Sequence, residues 1–170
     1  MSFSQYEFIE IYDTYHTALY RYILVRCSQV AVAQDLTSET FYRVWNYCSR
    51  NPDKKPKNMR AYLYTVGSNV VADYFKKNRP IFSLDDEQAQ QLVQNVARVE
   101  SYHSRERAGE FTHIYKALRK LPMEYSEIII LRYIQDLPYA DIAVIMDKSE
   151  GALRVLHSRA MKELRSLLRT

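Results

Sequence analysis

Apolar residues recur along this chain at steps of three and four, the spacing that lines side chains along one face of an α-helix. In the first such run the stripe is Phe8, Tyr12, Tyr15, Leu19 and Ile23. A second run puts Ala33, Leu36, Thr40, Val44 and Tyr47 on one face and Asp35, Glu39, Tyr42 and Asn46 on another. The pattern breaks at NPDKKPKN, where Pro52 and Pro56 stand among lysines and mark an exposed basic loop. It resumes in a third helix, with Leu63, Val66, Val70 and Tyr74 facing inward and Tyr62, Thr65, Asn69 and Lys76 left for contacts. Arg79 and Pro80 end it.

From about Ser83 to Arg107 the chain is rich in Gln, Asn and Ala with few large apolar residues, which reads as a flexible linker. Ser83 followed by Asp86 and Glu87 resembles an N-terminal cap and allows a helix within it. Beyond the linker, Phe111, Ile114, Tyr115, Leu118 and Leu121 predict one amphipathic helix, Pro122 interrupts, and Glu124 to Ile134 predicts another.

The last segment has the grammar of a helix-turn-helix. Ile142, Ala143, Ile145 and Met146 supply the packing face of a short helix, a tight turn falls near Asp147 to Ser149, and Ser149 suits the N-cap of a longer helix. On that helix Leu153, Leu156, Ala160, Leu164 and Leu167 face inward. Arg154, Val155, Ser158, Lys162 and Arg165 face out, with Arg159 at the edge. Such a face suits the major groove, where arginine donates two bonds to guanine and lysine meets phosphate. Gly151 costs roughly 1 kcal/mol relative to Ala inside a helix, so either close packing or the helix start must account for it.

Composition supports the same architecture. Three glycines and five prolines leave little from which to build the turns of an all-β fold, and 47% apolar residues call for a packed core. The fold class is therefore all-α: two small helical domains joined by a flexible linker, the C-terminal one with the helix-turn-helix. The net charge of +4 is unevenly placed. Arg50 to Arg79 holds eight Lys/Arg against two acids, and Lys148 to Thr170 six against two, so two cationic blocks stand out from an acidic remainder. Two such blocks point to two contacts with a polyanion.

Other chemistry finds no constellation. His16, His103, His113 and His157 are scattered, and there is no HExxH, CxxC, phosphate-binding glycine loop or nucleophile elbow. Catalytic residues, metal ligands and cofactors are accordingly expected to be none. Cys27 and Cys48 read as buried free thiols. The start of the chain carries Glu7 and Glu10 but no basic residue, and the longest aliphatic run is Ile128 to Leu131, so a cytoplasmic protein without membrane insertion is expected.

DLTSETFYRVW, RAYLYTVGSNVVADYFKK and ALRKLPMEYSEIIILRYIQDLPYADIAVIMDKSEGALRVLHSRAMKELRSLL occur here in the same order as in extracytoplasmic-function (ECF) sigma factors, and the resemblance covers nearly the whole chain. It implies sigma region 2 over residues 1–82, a linker over 83–107 and sigma region 4 over 108–170. The implied activity is binding of core RNA polymerase and promoter-specific initiation. Asp35, Glu39 and Phe41 would dock on the polymerase. Lys57, Arg60, Tyr62, Asn69, Tyr74, Lys76 and Lys77 would meet the minus-10 element, with Tyr64, Lys54 and Lys55 adding aromatic and positive surface; stacking on aromatic faces compensates for lost base stacking. Arg154, Val155, Ser158, Arg159 and Lys162 would meet the minus-35 element. The partners implied are core RNA polymerase and promoter DNA, and the family often has an anti-sigma factor as well. Tyr62 stands where tryptophan is usual, Ala152 where threonine is usual and Val155 where a small polar residue is frequent. A free-standing helix-turn-helix regulator is the nearest alternative, but the N-terminal half offers a basic aromatic helix and an acidic stripe in place of a ligand pocket or dimerisation surface.

Overall fold

The computed structural model describes residues 2–78, 85–99 and 111–170. Eight α-helices make up its regular structure there, with one short 3-10 turn at Pro52–Lys54 and one π turn at Ile130–Ile134. The first unit is a bundle of α1 (Gln5–Cys27), α2 (Val30–Arg50) and α3 (Met59–Asn78). Ser4 starts α1 with a reciprocal cap: its Oγ accepts from the Glu7 amide at 3.2 Å and its own amide donates to Glu7 Oε2 at 2.8 Å. Leu19, Ile23, Val44 and Leu63 are fully buried between the three helices. Gly67 lets α3 approach closely, because a Cβ there would lie 3.2 Å from Leu19 Cδ1 and 3.7 Å from Thr40 Cγ2. Tyr12 and Tyr47, assigned by periodicity to the buried stripes, are 40% and 38% exposed. Both lie at the rim of the bundle, where a tyrosine buries its ring edge and keeps its hydroxyl wet.

The joining segment carries α4 (Asp86–Val99). Asp85 caps it: Asp85 Oδ1 accepts from the Gln88 amide at 2.7 Å while Gln88 Oε1 accepts from the Asp85 amide at 3.2 Å. Although its apolar residues are few, Ala89, Leu92, Val93, Val96 and Ala97 fall on one side and are buried, against α1 and the next helix, α5 (Thr112–Lys120). Arg79, Pro80 and Ser83 lie outside the described residues, as do positions 100–110.

The second unit continues through α6 (Met123–Ile129), α7 (Tyr139–Met146) and α8 (Glu150–Arg169). Pro122 separates α5 from α6 as its missing amide dictates. The expected helix to Ile134 is present, but over Ile130–Ile134 it widens into a π turn, in which the Gln135 amide bonds to the Ile130 carbonyl at 3.0 Å. α6 and α7 both pack on α8.

The two units are in contact. α3 packs on α7 and α1 on α4, and one apolar core cluster runs through both units. Polar groups are buried where the units meet. Tyr22 Oη and Ser68 Oγ both donate to Glu127 Oε1, at 3.0 and 2.6 Å, and Arg26 Nη1 donates to Tyr22 Oη at 2.8 Å while standing 3.6 Å from the same carboxylate.

Candidate nucleic-acid interface

The site in the second unit is set up by the turn before α8. α7 ends at Asp147, whose φ of 51° is left-handed and lets the Lys148 amide reach back to the Ala143 carbonyl at 3.0 Å. Ser149 then caps α8, its Oγ accepting from the Ala152 amide at 3.1 Å. Ile142, Leu153 and Ala160 are fully buried and hold the two helices together. This packing leaves Arg154, Val155, Ser158, Arg159 and Lys162 all exposed, as the outward sector requires. Gly151 has open space around it, since an added Cβ would meet only Ser149 Oγ at 4.0 Å. Close packing is not its reason; it is the second residue of α8, where the cost of glycine is smallest.

Arg154 is 63% exposed and stands 3.6 Å from the Glu150 carboxylate, with its guanidinium 5.6 Å from the centre of the Tyr139 ring. Exposed pairs of this kind contribute little, so the guanidinium is free to exchange one partner for another. His157 was not singled out in the sequence. Its Nε2 shares a 2.8 Å hydrogen bond with Tyr133 Oη, 24 residues away, and no local spacing announces that contact. Burial, and then the nearby Arg132 and Arg165, hold its pKa below the ordinary histidine value.

In the first unit the structure divides the expected residues. Lys57, Asn69, Lys76 and Lys77 are exposed. Tyr62 is half-buried beside Tyr47, with ring centres 5.4 Å apart, and Tyr74 lies 5.8 Å from Phe75. Two residues of this group are turned towards the second unit. Arg60 is engaged by Asp141, with Nε and Nη2 at 2.8 and 2.7 Å from Oδ2. Tyr64 is 3% exposed and donates to Gln135 Oε1 at 2.5 Å; burial pushes its hydroxyl up to about 12. A ring so enclosed has no face left for a base, which corrects its expected stacking role. Lys55 is likewise occupied, 2.5 Å from Glu7 Oε1.

On α2, Asp35 is exposed. Glu39 accepts from Arg43 Nε at 2.7 Å, and Arg43 also reaches Asp73 at 3.5 Å. Phe41 requires a correction: it is 3% exposed, wedged against Phe8, Tyr12 and His16, and so fastens α2 to α1 rather than offering a docking surface. The sequence held the signal, since Thr37, Phe41, Val44 and Cys48 recur at steps of four and three and all are buried. Cys27 and Cys48 are buried free thiols, and burial pushes the Cys27 thiol up to about 11. Among the described residues no group of three or more His, Cys, Asp or Glu converges to hold a metal.

Comparison with known proteins agrees with this division into two units. Residues 11–81 match the family described as sigma-70 region 2, and residues 112–164 match sigma-70 region 4. The chain is 34% identical over 161 residues to the ECF RNA polymerase sigma factor BldN of Streptomyces coelicolor, an alignment covering 95% of this chain and 60% of that protein's length. It is 29% identical over 158 residues to the ECF RNA polymerase sigma factor SigM of Bacillus subtilis, covering 93% of each. Among solved structures, CnrH in complex with the cytosolic domain of CnrY has a TM-score of 0.69 at 23% identity, covering 98% of this chain and 90% of that one. RpoE of Bartonella quintana, in complex with the anti-sigma factor NepR, has a TM-score of 0.68 at 23% identity, covering 96% and 98%. These two likenesses are in fold. With both sigma-70 regions matched in order and an outward cationic face on the helix-turn-helix, the chain belongs to the ECF family of RNA polymerase sigma factors.

Proposed function

We propose that the chain binds core RNA polymerase and directs promoter-specific transcription initiation, with no catalytic step of its own. The observation that carries this reading is the exposed face of α8, where Arg154, Val155, Ser158, Arg159 and Lys162 stand clear of the packed leucines. Residues 108–170 act as region 4 and read the minus-35 element through that face. Residues 1–82 act as region 2: Lys57, Asn69, Lys76 and Lys77 track the minus-10 strand, Tyr62 and Tyr74 offer partly open rings, and Arg60 joins them once released from Asp141. Residues 83–107 join the two. Asp35 and the neighbouring Glu39 present the acidic docking surface to the polymerase. The protein works in the cytoplasm, where polymerase and promoter are; among the described residues no helix is long and apolar enough to cross a membrane. An anti-sigma factor is a further partner of the kind named for the RpoE neighbour.

Run-off transcription tests the reading directly. Core enzyme alone should give little promoter-directed transcript, and core enzyme with this chain should give a discrete product from its cognate promoter. Failure to bind core enzyme, together with tight unaided binding to duplex DNA, would replace this reading with that of a free-standing regulator.

A further inference from the structure

Arg60 belongs to the surface assigned to the minus-10 strand, yet in the folded chain its guanidinium is already committed. Asn58 caps α3, its Oδ1 accepting from the Ala61 amide at 3.0 Å, and this orients its Nδ2 to donate to Asp141 Oδ1 at 2.8 Å. Arg60 supplies two more donors to Asp141 Oδ2, at 2.8 and 2.7 Å. One carboxylate on α7 thus receives three donors from the start of α3. A phosphodiester offers the same pattern, two anionic oxygens that a guanidinium can meet with its planar fork. The exposures are unequal: the Arg60 side chain is 44% exposed and that of Asp141 7%. The cationic side is therefore open to solvent, and the carboxylate is hidden by the contact between α3 and α7.

We propose that Asn58 and Arg60 form a phosphodiester-binding site that Asp141 occupies in the closed chain and yields to the promoter strand when the units part. The proposal rests on the sigma-factor reading above and adds to it a competitor built into the chain. Asp141 lowers the fraction of chains whose minus-10 surface is free, and apparent affinity falls by that same fraction. Tyr64, enclosed by the same contact, regains an open ring only in the parted form.

The two partners of an ordinary structural ion pair give substitutions of the same sign, whereas competition gives opposite signs. The probe is a short, fluorescein-labelled single-stranded DNA of mixed sequence, bound to the full chain at low salt and followed by anisotropy. Asp141→Asn should bind about five-fold more tightly than the unsubstituted chain, the gain from releasing one partly exposed pair. Arg60→Gln should bind more weakly, and the double variant no more tightly than Arg60→Gln. Loss of affinity in both single variants, or no change in either, overturns the proposal. A measurement without substitution covers the case in which Asp141→Asn does not fold: adding the DNA should speed amide exchange across Tyr139–Met146, and unchanged or slower exchange there overturns it as well. Run-off transcription with the unsubstituted chain separates the two levels. A transcript together with same-sign variants rejects the competitor alone; no transcript from a chain that binds no core enzyme rejects the sigma-factor reading.

Discussion

Replacing Glu127 with alanine probes the contact between the units at its most buried point. The Glu127 and Arg26 side chains are 11% and 5% exposed, so the substitution strands a guanidinium in a site closed to water. Tyr22 Oη and Ser68 Oγ lose their acceptor at the same time. Breaking one side of a buried pair costs 3–5 kcal/mol in comparable settings, and Arg26 keeps its 2.8 Å bond to Tyr22, which places the expected loss at about 3 kcal/mol. The double variant Arg26→Met with Glu127→Leu fills the same space without charge and should recover part of that loss, the remainder reflecting Tyr22 Oη and Ser68 Oγ left without their acceptor. Urea unfolding reads both. Far-UV circular dichroism follows all the helices, while fluorescence of Trp45, the single tryptophan, follows the first unit, where it packs on Phe3 and Phe8 at 5.5 and 5.1 Å. Coincident transitions in the parent that separate in Glu127→Ala would mean that the network couples the units. A loss of less than about 1 kcal/mol would refute the reasoning, because it would mean that water already reaches Arg26 in the folded chain.

Four further outcomes follow from the geometry. Ser149→Ala removes the cap of α8 and should lower stability by about 1 kcal/mol, read as the urea midpoint by circular dichroism. Arg154→Ala should weaken minus-35 selectivity by roughly 1 to 3 kcal/mol in promoter competition without changing core-enzyme binding, and unchanged selectivity would remove Arg154 from the reading face. Asp35→Lys reverses an exposed charge and should impair assembly with core enzyme while leaving the melting temperature in place. His157 should titrate by NMR below its ordinary value of 6.5, and Arg165→Ala should move the midpoint upward. Because the folded pKa is the lower one, the unfolded chain takes up this proton first, and the group's effect on stability is a loss as pH falls below 6.5.

The helices, the turn at Asp147 and the Ser149 cap could be read from the sequence because each depends on neighbours within about one turn. The outward face of α8 was legible for the same reason: α7 covers only the apolar side. On α3 this logic fails. Periodicity separates its apolar side from its polar side, but Tyr64 and Arg60 are covered by residues 71 and 81 positions further on, and no local pattern marks which polar side a second unit will take. Phe41 differs: its own spacing puts it in the buried stripe with Thr37, Val44 and Cys48, and only the family resemblance points it at a partner. The helix in the joining segment also carries a local signal, Asp85 and Gln88 three residues apart at its start.

The π turn at Ile130–Ile134 sets the angular phase of everything that follows it. A π turn uses one residue more than an α turn, so each residue beyond it sits about 100° behind its place on an unbroken α-helix. Gln135, immediately after it, thereby faces Tyr64 on the other unit. An unbroken α-helix through this stretch would keep every side chain in the chain yet turn Gln135 away from Tyr64, so helical pitch alone decides whether the two halves of the protein meet at that bond.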